Sequence, residues 1–451
     1  MKWLVKMIVT LVIGMPVVLN LTESRVARAA ELAFWTTEIE PKRMSIQKEL
    51  ARRFSTTSEI TVEIVPVDES ELPTRVVAAA AANALPDMIF VPLDFVINWV
   101  EEGILDPKAS SSVIKRLGAD TFAAGPLRLA ATGDGWAAVP ADGWGQLLLF
   151  RKDLFAAVTP EGVLGKPDTW QGILAAAQAL HDPPKVWGIE VGTDPTQVYM
   201  QQVFEQFALS NGARLIDANT GKVDLNTAAF IETLKFYKRL AGFTPPGDIY
   251  WRQTREDYHG GRAAMIIWSP FILDELAGLR DSAPVTATGL SKPLHEVTGI
   301  VTAFHGLSRE RPVQWGQVSY FGITVGANSS TAKWAEFLLD DGYLDWLSMA
   351  PEGKFPLRPQ FVDGWKNLEI GVDSRSKISD LYTGEIIDSI IAGVGDFDRW
   401  GFSAGKGACV GQIYGTKVMI RILRRYLDGE MTAEAAANEM TNAIRGLEGC
   451  S

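Results

Sequence analysis

Cysteine and histidine are scarce. Cys409 and Cys450 are the only thiols in 451 residues, and His181, His259, His295 and His305 are the only imidazoles. No C-x-x-C, H-x-x-x-H or H-E-x-x-H spacing occurs, so no transition-metal signature is present. Gly405 and Gly407 do not complete G-x-G-x-x-G, because position 410 is Val. Gly401-Phe402-Ser403-Ala404-Gly405 has the letters of a nucleophile elbow, but the last histidine, His305, precedes it, so the serine-acid-histidine order fails. Basic runs are missing too. Lys and Arg number 43 against 54 Asp and Glu, a net charge of −11. Such a chain is a poor candidate for binding nucleic acid or an anionic membrane surface, both of which need clustered cations. Low-complexity tracts and fixed-period repeats are absent.

What is present begins with an address. Lys2 and Lys6 precede an apolar run over 7–21, broken by Pro16, and Ala27-Arg28-Ala29 supplies a small-x-small site. This n-h-c pattern predicts an export signal over 1–29, cut after Ala29. The run is shorter than the roughly 20 residues of a membrane span, and no cysteine follows it to carry a lipid. In an oxidising compartment Cys409 and Cys450 can form a disulfide, worth up to ~4 kcal/mol by loop closure. Two unrelated thiols remain the alternative, because a sequence does not report the Cα separation.

A single core rarely exceeds about 250–300 residues, so the length predicts two lobes. Strands are predicted at 32–35, 60–67 and 87–91, with helices after Pro41 and over 71–83 between them. Ile46, Leu50 and Phe54 share one face of the first helix. This β-α-β-α-β order predicts a parallel sheet, whose strand carboxyl ends are the usual ligand edge. After a Gly- and Pro-rich break at 133–143 a second series starts at 146–150. Asp168 or Thr169 should cap the helix to about Leu180, and Thr227 should open the helix over 228–241. Strands are expected at 187–191, 263–268 and 318–325, a loop excursion over 280–316, and mostly helix beyond Ser330.

In order along the chain stand "ELAFWTTE", "RRFSTTSEITVEIVPVDES", "AANALPDMIFVPLDF", "GWAAVPADGWGQLLLFRKDLF", "KPDTWQGILAAAQAL", "GGRAAMIIWSPF" and "GKFPLRPQ". Each segment alone is weak; the ordered set resembles the bacterial extracellular solute-binding proteins of family 1, the group containing the maltose-binding proteins. The resemblance implies an α/β fold with two periplasmic-binding-protein lobes, type II in the larger sugar-binder subgroup. A hinge would join them and a ligand cleft would lie between them. One lobe would hold 31–142 plus 270–326, the other 143–269 plus 327–451. The implied function is reversible capture of a sugar, sugar derivative or polyol and its delivery to ABC importer permease subunits. The protein would act in the periplasm as a monomer, with no cofactor, no nucleic acid and no catalysis. Phe150-Arg151-Lys152 and Trp268-Ser269-Pro270-Phe271 depart from the family pattern, as do insertions near 285–315 and 361–408, which leaves the ligand open. An exported glycosidase with paired carboxylates is the alternative class.

A sugar has apolar C–H faces and many hydroxyls, so its pocket needs aromatic platforms and bidentate polar groups. The chain has 14 Trp, more than a core needs. Trp35, Trp144, Trp268 with Ser269, and Trp400 fall at predicted strand ends or turns and are candidate contacts. Core packing explains each of them as well. Glu38, Asp68, Asp94 and Asp142 are the candidate carboxylates, with helix caps or solvated turns as the plain alternative. Tyr320 and Arg358, the latter in "FPLRP", complete the candidate set; a surface salt bridge would equally account for Arg358.

Overall fold

The computed structural model describes residues 31–450 except 134, 159–163, 218, 310 and 372–374. The expected export signal over 1–29 therefore lies outside the described residues. The first lobe starts with β1 (Glu31–Thr36), α1 (Pro41–Ser58), β2 (Thr61–Pro66), a helix over Leu72–Ala81 and β3 (Met88–Pro92). Pro41 starts α1 at a position where no N–H is needed. Gln47, Leu50, Ala51 and Phe54 turn inward with helical spacing. β1 pairs in parallel with both β2 and β3. Met88, Ile89, Phe90 and Val91 are all buried, as a strand covered on both faces requires.

The chain leaves this sheet along β4 (Val139–Gly145) and enters a second one at β5 (Leu147–Arg151). The second sheet pairs β5 with β6 (Met265–Trp268) and β7 (Thr298–Val301), both antiparallel. Residues 302–313 then lead back to β8 (Gln314–Ile323), antiparallel to β3 and β4 in the first sheet. β9 (Phe355–Pro356) adds to β4, and β10 (Phe397–Asp398) to β8. Around the second sheet lie α2 (Trp170–Ala179), α3 (Val198–Ser210), α4 (Ala228–Ala241) and α5 (Trp251–His259). Thr169 Oγ1 accepts from Gly172 N and Thr227 Oγ1 from Phe230 N, so both threonines cap as the sequence indicates.

Three glutamines stitch the crossings. Gln314 Nε2 donates to Gln146 O (3.1 Å). Gln206 of α3 donates to Val313 O (3.0 Å) and accepts from Trp315 N (2.6 Å). A Cβ on Gly145 would lie 2.3 Å from the Gln314 side chain, so the crossing requires glycine there.

Several expectations are corrected. Residues 298–301 pair in the second sheet, so 270–326 is not one first-lobe block. The helices Thr331–Leu339 and Tyr343–Leu347 pack on α1, and β9 joins the first sheet, so residues 331–356 do not belong to the second lobe. The apolar faces of those helices fit either lobe, and only long-range packing decides. The stretch 187–191 forms isolated bridges at Trp187 and Glu190 and no regular strand. Part of the supposed loop over 280–316 is β7. Cys409 and Cys450 are joined in a disulfide, their Cα atoms 4.8 Å apart.

Candidate functional site

The carboxyl ends of β1, β2 and β3 and the strand β4 bring a set of acids to one edge of the first lobe. Glu38, just past β1, is buried, with its N–H on Thr36 Oγ1 (3.1 Å). Its carboxylate receives Arg43 Nη1 at 2.7 Å and Lys354 Nζ at 2.5 Å. Lys354 also donates to Asp142 Oδ2 (3.1 Å), which Trp346 Nε1 holds from the other side (2.7 Å). The ammonium lies 4.8 Å from the Phe90 ring centroid and 5.2 Å from that of Trp346. One buried cation thus orients two buried carboxylates, with Arg43 completing the charge balance. Burial pushes the Asp142 carboxyl up against the pull of Lys354. For Glu38 burial acts upward too, but Lys354 and Arg43 together hold it below its usual value.

Asp94 opens the helix that follows β3. Its oxygens accept from Arg399 Nη2 (2.7 Å) and Gln317 Nε2 (2.8 Å). Arg399 is fully buried and reaches Glu205 of α3 in the second lobe (Nε to Oε1, 3.4 Å). Glu205 in turn accepts from Trp400 N (2.7 Å) and Tyr414 OH (2.6 Å). The guanidinium lies 4.3 Å from the Trp315 ring and 5.0 Å from that of Tyr414. Burial alone would lower its pKa, but Tyr414, Asp94 and Glu205 outweigh that and raise it. Arg399 therefore ties a first-lobe acid to a second-lobe acid.

Asp68 is exposed and bonds only its neighbour, accepting from Ser70 N (2.9 Å) and Oγ (2.5 Å), which lowers its pKa. Glu69 beside it is open to solvent yet has a raised pKa, from desolvation first and then from Glu38, Asp94 and Asp68. Its carboxyl therefore feels the charges of those three acids. Trp35 is half-buried, with the Arg75 guanidinium 4.7 Å over its ring. Trp144 is half-buried and tilts against Trp315 at 5.4 Å.

The second lobe presents aromatic rings. Trp268 ends β6 and is 8% exposed. Tyr199 packs on it at 5.6 Å and Trp251 at 6.0 Å. Tyr199 is fixed by its hydroxyl on Ile267 O (2.8 Å). Trp251, at the start of α5, is 36% exposed, with Tyr250 on one side and Arg252 and Arg255 near its face. Ser269 follows at half-burial, and then Phe271 lies against Gly353, where any Cβ would meet its ring at 2.2 Å. Gly353 adjoins Lys354, so this contact brings the aromatic and charged edges together. An ionic chain does the same: Arg255 to Glu275 (3.4 Å), Glu275 to Arg280 (4.0 Å), Arg280 to Glu352 (3.1 Å).

Three predicted site residues are placed elsewhere. Tyr320 is fully buried with its hydroxyl on Pro126 O (2.8 Å). Trp400 packs on Phe204 and Phe230 with Nε1 on Ala213 O (2.8 Å), inside the second lobe. Arg358 binds Leu339 O, Leu117 O and Thr121 Oγ1, satisfying helix C-terminal carbonyls behind the sheet. In "GKFPLRPQ" the buried ion pairs are made by Lys354 and not by Arg358, and next to Trp400 they are made by Arg399. Glu205 had its own signal: a lone acid in an apolar helix. Among the described residues no group of three or more His, Cys, Asp or Glu side chains is arranged to hold a metal ion.

A family model described as bacterial extracellular solute-binding protein matches residues 49–359. An Escherichia coli (strain K12) protein named as an ABC transporter periplasmic-binding protein, YcjN, is 28% identical over 401 residues, 86% of this chain and 88% of that protein. The maltose-bound MalE3 of T. maritima superposes with a TM-score of 0.70 at 18% identity, over 92% of this chain and 99% of that one. A solute-binding protein of Thermotoga lettingae bound with α-D-tagatose gives 0.69 at 20% identity, over 93% and 100%.

Proposed function

The chain belongs to the bacterial extracellular solute-binding proteins, and from that membership we propose that it captures a carbohydrate-type solute and delivers it to an ABC importer permease. One observation carries the ligand class: an edge of oriented carboxylates meets an edge of tilted aromatic rings in contact, joined through Phe271 and Gly353. Hydroxyls need the first and C–H faces the second. The similar proteins bound to maltose and tagatose support the same class. Glu38, Asp68, Glu69, Asp94 and Asp142 supply the polar side, with Trp35 and Trp144 beside them. Trp268, Ser269 and Trp251 form the platform. Tyr320, Arg358 and Trp400 act from behind, holding the elements that carry these groups.

Binding is reversible closure of the lobes about the Gln146 and 302–313 crossings, driven by contacts made only when closed. The protein is exported as a monomer after cleavage following Ala29, and it turns nothing over.

A thermal-shift screen tests the reading. A ligand at 100 times its Kd should stabilise the native state by about 2.7 kcal/mol. We expect a sugar or polyol among maltose, tagatose, ribitol and related compounds to raise Tm, and mass spectrometry to recover it unchanged. A shift from amino acids or peptides but from no sugar or polyol would overturn the ligand class. Turnover surviving repurification would overturn the binder.

A further inference from the structure

The segment that crosses back from the second sheet to the first carries Arg309 and Arg311. These two residues line a pair of adjoining grooves. One, of about 750 Å³, runs between the loop after α3, with Arg214, Leu215 and Ile216, and the Asp398–Gly401 turn. The other, of about 640 Å³, continues past Arg128 toward Ser389 and Asp396. Both volumes fall within the range of small-molecule sites.

Among the described residues that line the two grooves, four guanidiniums, those of Arg128, Arg214, Arg309 and Arg311, stand against the carboxylates of Asp396 and Asp398, an excess of two positive charges. Arg399 also lines the groove but is paired with Asp94 and Glu205. Arg309 Nε donates to Arg311 O (3.0 Å) and Arg128 Nη2 to Phe397 O (3.0 Å). Those bonds aim the two forks without neutralising them. Arg214 and Arg311 are exposed, and among the described residues neither makes an ion pair. Glu310 lies outside the described residues. In a chain of net charge −11, like charges gathered in one groove repel one another and add nothing to solubility. A planar fork pairs best with a tetrahedral or planar oxyanion, through two parallel hydrogen bonds. Compensating several forks at once takes a ligand with more than one negative charge.

We propose that this groove is a second binding site, separate from the interlobe edges, for a small multivalent phosphate-type oxyanion. The probe is inorganic pyrophosphate, titrated calorimetrically into the full-length secreted protein with no sugar present, so the outcome does not depend on the ligand class proposed above. Saturable binding is expected. The double variant Arg309→Ala/Arg311→Ala should weaken it at least about tenfold with Tm changed little, since Arg311 is exposed and Arg309 only half-buried. Arg214→Ala tests the opposite wall and should cost at least about threefold. The Arg309→Lys/Arg311→Lys variant keeps the charge but loses the forks, and should also weaken binding. Absence of binding would overturn the proposal, as would affinity untouched in the alanine variants or fully kept in the lysine variant. Cosedimentation with phosphatidylglycerol vesicles without pyrophosphate binding would overturn it as well, by assigning the groove to a lipid surface.

Discussion

The two edges that meet at Gly353 hold their side chains by opposite means. On the first lobe Glu38, Asp94 and Asp142 are fixed by buried cations, Lys354 and Arg399, through short charged hydrogen bonds. On the second, Trp268, Trp251 and Tyr199 lean on one another at 5.6–6.0 Å. A charged hydrogen bond is directional, and its loss leaves a buried ion unpaired. A ring contact is broad and tolerates tilt. The first edge therefore fixes where hydroxyls go, and its cations hold the fold as much as the site. The second adapts to a sugar face, and its outer rings matter to affinity more than to folding.

The largest effect should come from Lys354→Met. It fills similar volume but leaves Asp142 buried with no cation and Glu38 with Arg43 alone, a cost of roughly 3–5 kcal/mol. Urea unfolding should show a lowered midpoint without a change of slope, and Asp142→Asn added to it should recover part of the loss. Stability within about 0.5 kcal/mol of the parent would remove Lys354 from the centre of the charged edge.

Next comes a pair beneath the aromatic edge. His259 Nε2 and Glu275 Oε2 stand 3.7 Å apart, with Arg255, Arg280 and Asp274 around Glu275. Desolvation raises Glu275 to about 7, and desolvation followed by Arg255 lowers His259 to about 4. From its ordinary value up to about 7, Glu275 keeps its proton only when folded, so its contribution to stability falls as pH rises through that window. His259 keeps its proton only when unfolded between about 4 and 6.5, so its contribution rises with pH. Each is worth roughly 3 kcal/mol, and together they nearly cancel. Glu275→Gln should expose the rise and His259→Gln the fall, in urea midpoints from pH 4.5 to 7.5. Parallel profiles for the two variants would refute the assignment.

How far these positions could be read from the chain follows from how local their causes are. The caps Thr169 and Thr227, the inward face of α1 and the strand over 88–92 rest on neighbours a few residues away, and the sequence carries them. Asp68, Asp94 and Asp142 all follow an apolar stretch or a turn and look alike. Asp68 keeps to Ser70, whereas the environments of the other two come from residues hundreds of positions away: Lys354 beside Asp142 and Arg399 beside Asp94. Arg358 looked the better cation because two prolines frame it, yet its guanidinium faces helix carbonyls while Lys354, next to the small Gly353, reaches the acids. Trp400, just past β10, and Tyr320, inside β8, show that an aromatic residue in or beside a strand can face either way, and neither periodicity nor composition says which.

Trp268→Ala should weaken the sugar identified by thermal shift by about 2 kcal/mol, roughly thirtyfold, as for a stacking hot spot. Trp251→Ala, more exposed, should cost less. Calorimetric titration and a melting curve must be read together. Were Trp268 only a core ring, Tm would fall by several degrees while the affinity of the folded fraction stayed put. That outcome would move the platform to Trp35 and Trp144, on the first lobe, and erase the contrast between the edges.

The smallest effect belongs to Asp68→Ala. Its carboxylate is exposed, and its bonds are to Ser70 alone. It therefore differs from Asp94 and Asp142 in having no distant cation and no desolvation to repay. The turn it supports keeps its backbone bonds, because Glu71 N and Leu72 N donate to the Asp68 carbonyl, which alanine retains. Loss of these two exposed turn bonds should leave the melting temperature nearly unchanged. At the rim of the site a solvated acid should change affinity by no more than about threefold. Glu69→Gln, one residue on, should do more, since its carboxyl is crowded by Glu38 and Asp94. If Asp68→Ala instead abolished binding while Glu69→Gln did not, the polar edge would lie further out than the buried acids indicate, and Lys354 would be a purely structural cation.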